Sequence, residues 1–236
     1  MIEHVYWRAA STPGVDTVIV ATDDERILRV VERGGGRACL TDPHHPSGTD
    51  RVAEVARGLT CDIVVNVQGD LPLIDPSMIA AVIGPLVADA SLPMSTLRKA
   101  ITARDEWLNP NVVKVVTTAT GDALYFSRSP LPYWRQTPAA PGKVLGYRHI
   151  GVYGYRRDFL TTISALSPTP LEVAESLEQL RVLEHAFRIR TVETSCESIE
   201  VDTPEDLDRV RHHLRAAAGT APALTSVAAT NAREES

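Results

Sequence analysis

The sequence lacks a long hydrophobic run. No uninterrupted apolar stretch within its 236 residues approaches the roughly 18 residues that a membrane helix needs. Its first residues have neither the basic start nor the apolar segment of a secretion signal. We therefore expect a cytoplasmic protein without a membrane partner.

The sequence also has few cysteines and no block of basic residues. Cys39, Cys61 and Cys196 are too far apart for a CxxC metal or redox motif, so we interpret all three as reduced structural thiols. A net charge of −6, from 24 Lys and Arg against 30 Asp and Glu, gives no footprint for nucleic acid. An anionic partner would be a small molecule bound by individual arginines.

No predicted strand runs into a GxGxxG turn. The glycines at 34–36 follow a predicted helix over 24–33 and precede a short strand over 38–40. This order is the reverse of a phosphate-binding loop, so it indicates a helix end and a turn. A dinucleotide-dependent oxidoreductase is therefore disfavoured.

Apolar strands alternate with helices in the first part of the chain. The pattern predicts strands at 18–21, 38–40 and 63–67, and helices over 24–33, from about 47 and over 76–87. This alternation predicts an α/β fold with a mostly parallel sheet and helices on both faces. Ligands of such sheets bind beyond the carboxyl ends of the strands.

The pattern of predicted elements changes between about 93 and 157. Strands follow one another there without helices, which predicts an inserted antiparallel region. After it the pattern predicts a helix over 171–187, strands at 189–193 and 199–201, and a helix over 204–218. We interpret 1–218 as one domain and 219–236 as a disordered tail.

Two carboxylates are candidates for a metal site. Asp70 and Asp202 each end a predicted strand, and parallel strand ends meet at one edge of a sheet. Carboxylates with water and phosphate oxygens suit Mg²⁺. The alternative is that Asp202 only caps the helix that begins near Pro204.

The predicted strand over 147–157 places His149, Gly151 and Tyr153 on one face. The glycine opens space between two hydrogen-bonding side chains, as a polyhydroxylated ligand would need. Ordinary aromatic packing on a surface strand is the alternative. Arg128, at the end of another strand, either grips a carboxylate at a pocket edge or simply emerges there.

Two further segments carry polar candidates. The turn at 45–51 leads into a helix, and N–H groups at a helix start favour polar or anionic ligands. A plain serine or threonine cap is the alternative. Glu178 and Gln179 interrupt an apolar stripe and are placed either to reach a ligand or to face solvent.

Together these segments resemble the 3-deoxy-manno-octulosonate cytidylyltransferase family. The resemblance covers about residues 2–212, and its matching segments, in chain order, are 19–23, 45–51, 66–70 with Pro72, 109–116, 124–128, 148–155, 170–172, 177–183 and 201–207.

The resemblance implies a Rossmann-like nucleotide-binding fold of the nucleotide-diphospho-sugar transferase type, usually a homodimer. It implies Mg²⁺-dependent transfer of CMP from CTP to 3-deoxy-D-manno-octulosonate (Kdo), with release of pyrophosphate, for lipopolysaccharide-type sugar activation. It implies that Asp70 and Asp202 hold the magnesium ion. The residues it implies at the cytidine side are Ser47, Gly48, Thr49, Arg51 and Gln68, and those facing the sugar acid are Arg128, His149, Tyr153, Glu178 and Gln179.

This sequence departs from the family pattern at two places. Leu71 stands where the family usually has glutamate. Family members also begin with a central strand and a basic phosphate loop, whereas Met1 and Ile2 match the helix after that loop. We expect neighbouring strands to lack a partner there, and pyrophosphate release only from a form that carries this segment.

Two other functions fit the same residues. One is a cytidylyltransferase that uses another sugar acid, such as an acylneuraminate, although His149, Gly151 and Tyr153 favour Kdo. The other is a catalytically silent homologue that only binds nucleotide or sugar, because the phosphate loop is not among the matched segments. Pyrophosphate release from CTP with Kdo and Mg²⁺, measured for the chain as printed and for a version extended upstream, tests these functions.

Overall fold

The computed structural model describes residues 1–136, 142–201 and 203–220, in two units, 1–200 and 201 onward. The elements of the first unit are α1 (Ile2–Ala10), β1 (Val20–Thr22), α2 (Glu25–Arg33), β2 (Ala38–Leu40), α3 (Gly48–Arg57), β3 (Ile63–Asn66), α4 (Pro76–Ala88), β4 (Met94–Ile101), α5 (Arg104–Leu108), β5 (Lys114–Thr117), β6 (Ala123–Ser127), β7 (Gly146–Arg156), α6 (Arg157–Ala165), α7 (Pro170–Glu175), α8 (Gln179–Glu184) and β8 (Ile189–Glu193). The second unit contains α9 (Pro204–Thr220). The predicted tail falls mostly on 221–236, outside the described residues.

The strands of the first unit form two sheets. β1 and β2 pair in parallel, and the larger sheet has the order β6-β5-β7-β4-β8, with β3 also paired to β7. β3 and β4 are both antiparallel to β7, and β8 is parallel to β4. Hence β3, β4 and β8 run in one direction, as an α/β sheet predicts, while β5, β6 and β7 form the predicted antiparallel region. The α/β class is confirmed.

The two sheets do not share a strand. Within the described residues, β1 pairs with β2 only and β3 pairs with β7 only.

Helix starts follow the capping residues that the sequence shows. Asp24 precedes α2 and its carboxylate accepts a hydrogen bond from the Arg26 N–H at 2.7 Å, while Ser47 caps α3 and Asp75 caps α4. α2 ends at Arg33 with Gly34 as its C-cap, and Gly35 has a φ of +80°. The interpretation of the glycines as a helix end and turn is therefore confirmed.

The alternation of β7 separates two cores. Ile150 and Val152 pack against α4 in one cluster, which also contains Leu71 at 4% exposure. Tyr153 and Tyr155 belong to the other cluster. The predicted two-residue period of this strand is confirmed, and Leu71 is a core residue.

Two predicted elements are wrong. The helix predicted over 171–187 is broken, because Ser176 has a φ of +53° and α8 begins only at Gln179. Glu175, the last residue of α7, is hydrogen-bonded to Ser127 and to the Arg128 N–H at the end of β6. Residues 199–201 form no strand, and Asp202 lies outside the described residues. The short helix α5 and the helix α6 were not predicted.

No helix in the described part of the chain combines the length and the apolar character that crossing a membrane requires.

Candidate active site

A pocket opens between the start of α3, the segment after β3, the strand β7 and the start of α8. Its lining residues are Gly48, Thr49, Gln68, Met94, Tyr153, Tyr155, Ile163, Glu178 and Gln179. Gly48, Thr49 and Gln68 belong to the predicted cytidine side. Tyr153, Glu178 and Gln179, which the resemblance assigned to a sugar acid, line the same pocket. The fold therefore brings residues from both predicted groups into one pocket.

The wall predicted to bind cytidine lies on the first turn of α3. The Ser47 hydroxyl accepts a hydrogen bond from the Asp50 N–H at 3.2 Å and donates to the Asp50 carboxylate at 2.7 Å. Ser47 is thus occupied as the helix cap, and Gly48 and Thr49 follow it at the positive end of the helix dipole. Backbone N–H groups at this end favour polar or anionic ligands.

Arg51 does not line this pocket. Its guanidinium donates to the Thr41 hydroxyl at 2.5 Å, to the Asp42 carbonyl at 3.3 Å and to the Asp23 carboxylate at 2.9 Å. These bonds join α3 to the segments that follow β1 and β2. Arg51 therefore holds the start of α3 against these segments in this structure.

The opposite wall joins β7 to α8. The Tyr153 hydroxyl donates to Gln179 Oε1 at 3.3 Å, and Gln179 is only 5% exposed. Burial, with the nearby charges of Glu178 and Glu200, raises the pKa of the Tyr153 phenol above its usual range. The hydroxyl therefore remains protonated at neutral pH, and this wall combines a phenol donor, an amide and a carboxylate.

Tyr155 links the two walls. Its side chain is 1% exposed and lines the pocket together with Thr49 at the start of α3, while its ring centroid lies 6.0 Å from that of Tyr153. Tyr155 was on the predicted face of β7 but was not predicted as a site residue. Met94 and Ile163 were also missed as lining residues, and α6, which carries Ile163, was not predicted.

His149 lies behind Tyr153 and does not line the pocket. Its ring centroid is 5.4 Å from that of Tyr153, and its Nε2 is 2.9 Å from the Thr96 hydroxyl. Burial lowers the pKa of His149 to about 3, so the imidazole is neutral at physiological pH. A side chain at Gly151 would meet no heavy atom within 4 Å, which agrees with the predicted open space.

Gly151 and Val152 have no register partner on β4, because Thr96 pairs with Tyr153 and Leu97 with Ile150. The Thr96 hydroxyl lies 2.9 Å from the Val152 carbonyl, to which it donates. Since the same hydroxyl contacts His149, the irregular stretch of β7 and the orientation of His149 are coupled.

Arg128 lies at the end of β6 and is not among the described residues that line the pocket. Its Nε donates to the Glu175 carbonyl at 2.9 Å, and its Nη1 to the Pro110 carbonyl at 3.3 Å. The structure thus shows it bonded to backbone carbonyls, and its role toward a carboxylate stays a prediction.

Comparison with known proteins agrees with this geometry. Residues 1–192 match a family model described as cytidylyltransferase. The 3-deoxy-manno-octulosonate cytidylyltransferase of Geobacter metallireducens is 57% identical over 217 residues, which cover 89% of this chain and 85% of that protein. The protein of the same name from Pelobacter propionicus is 55% identical, over 92% of this chain and 88% of that protein.

The chain belongs to the 3-deoxy-manno-octulosonate cytidylyltransferase family. The resemblance expected from the sequence is confirmed. A solved structure of CMP:2-keto-3-deoxy-manno-octonic acid synthetase complexed with CTP matches with a TM-score of 0.85 and 43% identity. The match covers 92% of this chain and 88% of that one. A putative glucose-1-phosphate thymidylyltransferase from Bacillus anthracis, at 14% identity and a TM-score of 0.57, shares the fold.

The predicted magnesium ligands of this cytidylyltransferase are only partly described. Asp70 lies in the turn after Gln68, close in sequence to the pocket, and Asp202 is outside the described residues. The described residues contain no cluster of three or more His, Cys, Asp or Glu side chains that could hold a metal ion. A metal role of this pair stays a prediction.

Proposed function

We propose that the chain transfers CMP from CTP to Kdo, giving CMP-Kdo and pyrophosphate. One observation carries the proposal: a single pocket is lined both by the start of α3 with Gln68 and by Tyr153, Glu178 and Gln179. Transfer between two bound substrates requires such a shared space, because the reacting atoms must be held in contact. Membership of the cytidylyltransferase family supports the reaction class.

In this proposal the cytidine half binds at Gly48, Thr49 and Gln68, whose backbone and amide groups suit a pyrimidine and a phosphate. The sugar acid binds at Tyr153, Glu178 and Gln179, which offer a donor and acceptors to its hydroxyl groups. His149 supports the Tyr153 ring from behind. Ser47 and Arg51 keep the start of α3 in shape.

The reaction forms a bond from the anomeric oxygen of Kdo to the α-phosphorus of CTP and breaks the bond from that phosphorus to the pyrophosphate oxygen. Pyrophosphate leaves, and the proton of the anomeric hydroxyl passes to water. No protein nucleophile is needed, since the two substrates react directly. Tyr153 and His149 stay in their neutral forms at physiological pH, so they act as hydrogen-bonding groups. What the protein contributes is alignment and charge compensation for an in-line displacement.

We propose that Asp70, with Asp202, holds Mg²⁺. The carboxylate of Asp70 follows Gln68, a pocket residue, and carboxylate oxygen is the donor type that Mg²⁺ prefers alongside phosphate oxygens. The ion would offset the negative charge of the triphosphate next to the sugar carboxylate. We also propose that Arg128 contributes positive charge to the sugar acid.

We further propose a cytoplasmic homodimer, following the family resemblance. β6 is an outer strand of the larger sheet, and Leu124 on it is 60% exposed. Val173 on α7 is 67% exposed. Large apolar side chains on an outer strand and a helix favour contact with a second copy of the chain. Sedimentation equilibrium of the protein and of its Leu124→Lys variant tests this assembly.

The activity test supplies CTP, Kdo and Mg²⁺ to the chain as printed and to a form preceded by the strand and loop that the family carries. Pyrophosphate release is followed enzymatically and CMP-Kdo by mass spectrometry. We expect product that disappears with EDTA and in the Gln179→Ala variant. The Tyr133→Phe variant, at an 84% exposed position, is the matched control.

Product from an acylneuraminate but none from Kdo would favour the alternative sugar acid. Absence of product with either acid, together with CTP binding by calorimetry, would favour a catalytically silent homologue. Turnover that is indifferent to EDTA would contradict the magnesium part of the proposal alone.

A further inference from the structure

Glu175, the last residue of α7, is bonded to the end of β6 through both its side chain and its backbone. Its Oε1 accepts from the Ser127 hydroxyl at 2.6 Å and from the Tyr125 hydroxyl at 3.4 Å. Its Oε2 accepts from the Arg128 N–H at 2.9 Å. Its carbonyl accepts from Arg128 Nε at 2.9 Å. Four donors from one strand end therefore converge on one residue.

These bonds coincide with the break between α7 and α8. Ser176 adopts the left-handed conformation, with φ +53° and ψ +51°, a region that residues other than glycine rarely occupy. The Leu177 N–H then returns to the Glu172 carbonyl at 3.1 Å, and α8 restarts at Gln179. Such a conformation persists only where surrounding contacts hold it.

The break decides which side chains reach the pocket. Leu177 turns into the core at 7% exposure, while Glu178 and Gln179 line the pocket wall opposite α3. In an uninterrupted helix, successive side chains are rotated by a constant angle about the helix axis. Leu177, Glu178 and Gln179 would then point in other directions than they do here. The position of the wall therefore depends on where α7 stops.

The strand end that holds Glu175 is itself fixed from the other side. Lys114 is fully buried, and its Nζ donates to the carbonyls of Arg128 at 2.6 Å, Val112 at 2.6 Å and Asn109 at 2.8 Å. Burial alone would raise the pKa of Glu175, but the hydrogen bonds from Ser127, Arg128 and Tyr125 lower it on balance. The Glu175 carboxylate is therefore ionised at neutral pH and accepts these hydrogen bonds as an anion.

We propose that Glu175 is a positioning residue for sugar-acid binding: its bonds to the end of β6 set the break after α7 that brings Glu178 and Gln179 into the pocket. The inference rests on the proposed function, which assigns these two side chains to the sugar acid. Glu175 itself is not among the residues that line the pocket in the described chain.

The kinetic test compares Glu175→Ala and Glu175→Gln with Asp89→Asn, in the form of the chain that turns over. Asp89 is a matched control, because its carboxylate also accepts from three donors, two on Ser91 and one on Arg188, next to α4. For Glu175→Ala we expect KM for Kdo to rise about tenfold with KM for CTP nearly unchanged, since several bonds to a charged acceptor are lost.

The glutamine variant keeps one acceptor oxygen for Ser127, so its KM for Kdo is expected to rise less than that of the alanine variant. Asp89→Asn is expected to change neither KM, even where it lowers the melting temperature as much. Equal rises of both KM values in Glu175→Ala, or the same pattern in Asp89→Asn, would mean that Glu175 has only a general structural role.

A second measurement does not depend on turnover. Amide hydrogen exchange of residues 176–181 in the chain as printed is expected to quicken at least about tenfold in Glu175→Ala and to stay unchanged in Asp89→Asn. Unchanged protection in Glu175→Ala overturns the proposal. If the unmutated protein transfers no CMP to Kdo, the proposed function is wrong. The exchange measurement still decides whether Glu175 maintains the break between α7 and α8.

Discussion

The two walls of the pocket are built in different ways. The wall at the start of α3 is mainly local, because Ser47, Gly48 and Thr49 are consecutive and follow one helix cap, to which Arg51 adds bonds to Thr41 and Asp23. The opposite wall depends on contacts between distant segments: Tyr153 binds Gln179, and Glu175 binds β6. A binding site can thus combine one wall that a short motif specifies with another that requires the whole sheet.

This difference predicts different responses to mutation. The local wall should lose modest stability when its cap is removed, since the neighbouring elements remain intact. The long-range wall should respond to changes far from the pocket in sequence, because its parts are held by buried polar contacts between strands and helices.

The largest expected effect is at Lys114, which lies beneath the long-range wall. Lys114→Met removes three charge-assisted bonds to backbone carbonyls, so the free energy of unfolding should fall by about 3 kcal/mol. Denaturant unfolding measures this, with Lys143→Met at an exposed position as the control. A loss no larger than that of the control would show that the end of β6 does not need this lysine.

The next effect concerns His149, which also lies behind the long-range wall. The pKa of His149 is about 3 in the folded chain, whereas in the unfolded chain it has the ordinary histidine value of about 6.5. Between these two pH values the unfolded chain therefore binds a proton at His149 and the folded chain does not. Stability therefore falls as the pH drops from about 6.5 toward 3. Between pH 6.5 and 5 the loss should be about 2 kcal/mol.

Urea unfolding at these two pH values measures that loss. His149→Gln should remove this part of the pH dependence, whereas His4→Gln, at an exposed position on α1, should retain it. An unchanged pH dependence in His149→Gln would mean that other groups cause it.

A smaller effect is expected at Tyr153, the hydroxyl that joins β7 to α8. Tyr153→Phe removes the bond to Gln179, so KM for Kdo should rise about fivefold while KM for CTP stays constant. Steady-state kinetics with each substrate varied in turn measures the two constants. Equal changes in both KM values would contradict separate roles for the two walls. Tyr133→Phe, at an exposed position, is the control and should change neither constant.

The smallest effect is expected on the local wall. Ser47→Ala removes the cap of α3 and should cost about 1 kcal/mol of stability, with a rise of KM for CTP and not for Kdo. Ser164→Ala, whose hydroxyl bonds within α6, is the matched control. A larger loss than in Lys114→Met would reverse the proposed ranking of the two walls.

The accuracy of the sequence-based predictions follows the same division. The helix over 24–33 and the turn after it were correct, and the alternative of a serine cap at 45–51 is what Ser47 forms, because each depends on interactions within a few residues. The two-residue period of β7 was also correct. The helix over 171–187 was wrong, since its apolar spacing is helical but Glu175 bonds to a strand that lies far away in sequence.

By itself, the sequence determined the α/β class, the helix starts, the polar face of β7 and the family of the chain. Only the tertiary structure decided which candidates share a pocket: it placed Gly48 and Thr49 opposite Glu178 and Gln179, and it turned Arg51 and Arg128 to other partners. The physical reason is the separation in sequence between the groups that interact. Capping and periodicity act between near neighbours in the chain, whereas the pocket depends on buried bonds between segments that become neighbours only when the sheet has formed.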